Sequence, residues 1–93
     1  MEKKTVLLDW LKKVLCFINN NKELGWREYI RYNVNQYIRY GWGGYLRNVL
    51  WALEICTQYT TYDNKVIQER NKLLKEFEDL PEVKFGMALG DGC

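Results

Sequence analysis

Residues 26–47 read WREYIRYNVNQYIRYGWGGYLR, and this stretch decides the fold. At about 100° per residue, Trp26, Ile30, Val34, Tyr37 and Ile38 share one side, the stripe of an amphipathic helix over residues 25–40. Gly41-Trp42-Gly43-Gly44 then interrupts it, with three glycines able to adopt left-handed conformations. Apolar periodicity resumes at once and predicts a helix over residues 45–59. Only Arg47, Glu54, Thr57 and Gln58 make a polar strip there, with Asn48 isolated elsewhere. A helix this apolar is expected at the centre of a bundle.

Working outward, Thr5 is a candidate N-cap for a helix over residues 6–19. Its apolar residues, Val6 to Ile18, cover about 200° of arc, more than one packing partner needs. Asn19-Asn20-Asn21 ends it, because short polar side chains compete for backbone hydrogen bonds. On the far side, Thr60, Thr61 and Asp63 supply a turn and an N-cap for a helix over residues 64–78. There Val66, Ile67, Leu73, Leu74 and Phe77 form a narrow seam among charges. Leu80-Pro81 stops that helix. The expectation is a single all-α domain over residues 1–80, a small four-helix bundle. A tail follows over residues 81–93, docked or mobile, with Val83, Phe85, Met87 and Leu89 at period two.

Composition excludes much chemistry. The 93 residues contain no His and no Ser, which removes Ser-His-Asp triads, Cys-His pairs, imidazole bases and His-ligated zinc. Cys16, Cys56 and Cys93 are far apart and form no C-x-x-C, and no cofactor motif occurs. Reduced thiols in the cytoplasm are the simplest expectation, with Cys93 an exposed terminal thiol. Asp9, Lys12 and Lys13 interrupt the first apolar run before a signal-peptide core forms, and no run approaches a membrane span. A net charge of +2 is too small for an indiscriminate polyanion binder. Yet residues 25–47 alone carry +3, four arginines against Glu28, and half of the fourteen aromatics lie between Trp26 and Tyr45.

On the helical wheel Arg27, Arg31 and Arg39 form one stripe, while Tyr29, Tyr32 and Tyr40 point away from the apolar face. Tyr and Arg dominate binding hot spots, and arginine also forks onto phosphates while rings stack on bases. The competing expectation is that the phenols sit half-buried and the arginines pair with Glu28, Glu23 or Glu54. Around the glycines, Arg39, Tyr40, Trp42 and Arg47 could hold an anionic aromatic ligand at a helix N-terminus; the alternative is a tight turn with Trp42 plugging the bundle end. Arg70 interrupts the seam of the last helix and needs a partner, either Glu54 or another subunit, where it would set register. The surplus apolar arc of the first helix points to a homo-oligomer, a dimer or larger.

These readings converge on a small non-catalytic binding protein, of the kind phages and mobile elements use as inhibitors. It would occupy a protein partner through the outward Tyr/Arg face. The alternative is capture of a nucleotide, cyclic nucleotide or short nucleic acid around Gly41–Gly44. Neither reading calls for a metal or a cofactor.

Overall fold

Helices form wherever the apolar periodicity runs, and they end where it breaks. The computed structural model describes residues 3–58 and 62–80. Within them α1 spans Lys3–Asn20, α2 Arg27–Tyr40, α3 Gly43–Ile55 and α4 Asn64–Asp79. Each helix packs on its chain neighbours, and α4 returns against α1. Among the described residues the backbones of the diagonal pairs stay apart, and only side chains fill the centre between them. The result is a closed up-down-up-down four-helix bundle. The tail over residues 81–93, including Cys93, lies outside the described residues.

Four local expectations are corrected. Helix α1 begins at Lys3, so Thr5 lies inside it rather than capping it. Trp26 precedes α2 instead of joining its stripe, and holds a left-handed backbone with φ of 65°. Helix α3 stops at Ile55, short of residue 59. In a closed ring no helix is central, and α3 leaves Trp51 about half exposed. Asp63 does occupy the N-cap of α4, but its side chain makes no capping hydrogen bond.

The core fills the centre of the ring. Leu11, Val14 and Ile18 of α1 meet Ile30 and Val34 of α2, Val49, Ala52 and Leu53 of α3, and Leu73 and Phe77 of α4. The wide apolar arc of α1 is consumed within one chain. Its Leu7, Trp10, Leu11, Val14, Phe17 and Ile18 are buried, and Leu8 and Leu15 pack half-buried beside them. Trp10 Nε1 donates to the Leu73 carbonyl at 2.8 Å, and its ring tilts against Phe77 at 4.9 Å. Serving both α2 and α4 requires a stripe that wide. The breadth of this stripe is therefore no sign of self-association through α1.

Helices α2 and α3 share the largest interface of the ring. Gly41 permits the tight turn between them: at φ of 73° it occupies the left-handed region and donates its N–H to the Tyr37 carbonyl at 2.8 Å. Across the seam Asn48 Nδ2 donates to Asn33 Oδ1 at 3.0 Å, and Gln36 Nε2 reaches the Tyr45 hydroxyl at 3.4 Å. Asn33 is 2% exposed and its own amide donates to the Tyr29 carbonyl. A buried amide must be paired, so this contact selects one register of the hairpin.

Asn48→Ala leaves the Asn33 carbonyl oxygen without its donor. A loss of about 1–3 kcal/mol in urea unfolding is expected; stability unchanged within error would mean that the amide pair does not hold the register.

Candidate functional surface

Backbone carbonyls at helix ends claim two of the predicted site residues, Arg27 and Arg70. Helices α1 and α3 have no basic residue in their last turns, yet both ends carry unpaired carbonyls and the negative end of the helix dipole. Arginines from elsewhere supply the missing donors. Arg27 Nε donates to the Ile18 carbonyl at 2.8 Å. Arg31 reaches the Asn19 side chain at 2.7 Å and pairs with Glu28. Arg70 donates to the carbonyls of Glu54 at 2.7 Å and Leu53 at 3.4 Å. Within the chain the partner of Arg70 is thus the end of α3, the backbone of Glu54 rather than its carboxylate.

Beside Arg70 lies Cys56, buried and free, its Sγ donating to the Leu53 carbonyl at 3.2 Å. Burial pushes this thiol above its ordinary value of 9.0, while the Arg70 charge and a backbone hydrogen bond pull the other way. It is held protonated and enclosed, which suits packing rather than reactivity.

The remaining candidates stay at the surface. Tyr32 is 58% exposed, and Arg39, Tyr40, Trp42 and Arg47 are exposed as well. Arg39 lies 6.0 Å from the Tyr40 ring. Tyr29 is half-buried and joins a cluster that sequence reasoning missed. Trp26 stands edge-on to Trp51 at 4.9 Å and to Tyr29 at 5.5 Å, although Trp26 and Trp51 each keep two-fifths or more of their surface in water. The left-handed backbone of Trp26, strained for a bulky residue, is what turns its ring onto α3. A wheel drawn on α3 alone would have found Trp51, which points away from Val49 and Leu53.

At the opposite end of the hairpin Trp42 neither plugs the bundle nor stands free. Its ring folds back over the first turn of α3, edge-on to Tyr45 at 5.2 Å. A Cβ on Gly44 would overlap the indole, so Gly44 is the residue that lets this ring lie on its own helix. Among the described residues, all six large hydrophobics that remain exposed lie between Trp26 and Trp51, on the α2–α3 hairpin and its entry. No group of His, Cys, Asp or Glu among them could hold a metal ion, and no helix is long and apolar enough to cross a membrane.

The sequence matches no protein-family model, and no curated protein or solved structure matches it, so a functional reading rests on this chain's own residues.

Because Ala outranks Gly in a helix, Gly44→Ala should stabilise the chain by up to about 1 kcal/mol once the indole is gone, in a Trp42→Ala background. With Trp42 present the same change should bring no gain or a loss. Equal effects in both backgrounds, measured as a double-mutant cycle in urea, would show that Trp42 does not rest on Gly44.

Proposed function

We propose that this protein is a non-catalytic binding protein that acts by occupying a protein partner through the outer face of the α2–α3 hairpin. One observation carries the reading: the exposed aromatic surface of the described residues is concentrated on this hairpin, interleaved with Arg39 and Arg47. Large rings and arginines together are the composition of binding hot spots. The rings are also held in place. Trp26, Tyr29 and Trp51 brace one another edge-on, and Trp42 leans on Gly44 and Tyr45. Pre-positioned rings lose little side-chain entropy on binding, which favours a tight contact.

The face sharpens the Tyr/Arg stripe read from the sequence. Arg27 and Arg31 support it from behind by tying α2 to the end of α1. The contact residues become Tyr32, Arg39, Tyr40, Trp42 and Arg47, joined by Trp26, Tyr29 and Trp51. Capture of a nucleotide is the weaker reading, because one face of Trp42 is already committed to its own helix. An inhibitor made by a phage or mobile element fits a small protein that works by occupancy, and that origin is part of the proposal.

Three exposed positions test the reading: Tyr32→Ala, Trp42→Ala and Trp51→Ala, combined in one chain and confirmed folded by circular dichroism. Crosslinked capture from the native host should recover a protein with the wild type and with Lys12→Ala on α1, and lose it with the triple variant. Recovery of the same proteins with all three chains would place the binding face elsewhere.

A further inference from the structure

The outward stripe of α2 is Glu28, Tyr32, Asn35 and Arg39, four exposed residues spaced four, three and four apart. That is the heptad spacing by which one helix lies along another. Read in reverse, the stripe complements itself. An antiparallel copy brings Glu28 against Arg39 and Tyr32 against Asn35, on a two-fold between Tyr32 and Asn35. The two charged ends stand roughly 16 Å apart at 1.5 Å per residue, with only neutral side chains between them on the stripe. A parallel copy would set Glu28 against Glu28 and Arg39 against Arg39, so charge selects the antiparallel arrangement.

The neighbouring helix obeys the same symmetry. The pairs Asn33–Asn48 and Gln36–Tyr45 show that each step up α2 is one step down α3. Trp51 therefore stands level with Ile30, and Gly44, with the Trp42 ring upon it, level with Tyr37. These two heights are exchanged by the two-fold that exchanges Glu28 with Arg39. The Trp51 ring of one copy then stands at the height of the Trp42 ring of the other. Isologous contacts need this property, one patch complementary to itself.

We propose that the partner seated on this face is a second copy of the chain, docked with α2 antiparallel to α2. The proposal rests on the reading of the hairpin as the binding face and names its occupant. Glu28, already beside Arg31 on its own helix, is exposed enough to accept a second guanidinium from the other copy. Arg47, level with Val34, lies at the height of the two-fold, near the height of its own symmetry mate. It contributes repulsion rather than attraction to this contact.

Charge exchange tests the arrangement by sedimentation velocity, with circular dichroism confirming the fold of each chain. The wild type should dimerise at concentrations on the order of 100 µM or below. Glu28→Arg alone and Arg39→Glu alone each place like charges together twice and should weaken the dimer at least tenfold. The two single variants mixed, or both changes in one chain, should restore it. Arg47→Ala should not weaken it, although loss of Arg47 would weaken capture of an anion. A monomeric wild type, or a dimer indifferent to both single reversals, overturns the proposal. A monomer that still loses its captured protein on changing Tyr32, Trp42 and Trp51 would remove the second copy while leaving the binding face in place.

Discussion

The amide of Asn33, closed off from water between α2 and α3, is the constraint on which the rest of the arrangement depends. Packing alone would tolerate several registers of an apolar helix hairpin, since one leucine replaces another at modest loss. A buried amide tolerates one, because its donor and acceptor must both find partners. Asn33 finds the Tyr29 carbonyl within its own helix and the Asn48 amide across the seam. With that register set, Trp51 meets Trp26 and Tyr29, and Tyr45 meets Gln36. The apolar halves of both helices turn inward, and what remains outside is a row of rings.

A second constraint comes from the ends of helices. The arginines of residues 25–47 looked like one outward stripe because a wheel records direction and not what lies in that direction. Helix α1 ends beside the start of α2, and its last carbonyls have no basic residue of their own turn to satisfy them. Arg27 fills that role and Arg31 holds the Asn19 side chain beside it, which leaves Arg39 and Arg47 at the surface. Arg70 does the same for α3. Helix capping by a distant residue leaves no trace in local periodicity, which is why the sequence offered Arg70 two partners and neither was the backbone.

The number of helices, their order and the breaks between them were legible, since they follow from apolar spacing and from Gly41 to Gly44. Most of the core followed as well. Less was legible wherever a tertiary contact overrides local preference. Trp26 belongs to the α2 stripe by spacing, but its left-handed backbone takes it out of the helix and onto Trp51. The breadth of the α1 stripe looked like surplus surface, and in the ring it is the width that two neighbours require. Surplus apolar surface does exist in this protein, but on the hairpin. It is visible only once Asn33 and Asn48 have set α2 beside α3.

The outer face of this hairpin is proposed as the surface through which the protein makes contact. Hydroxyl-radical footprinting across a concentration series tests it most directly, because it reads individual rings. Trp10 should be protected at every concentration, as its burial requires. Tyr32, Trp42 and Trp51 should react readily in dilute solution and lose reactivity together as concentration rises. Oxidation of these three rings that stays constant, while protection appears on the exposed side chains of α1 or α4, would place the contact surface away from the hairpin.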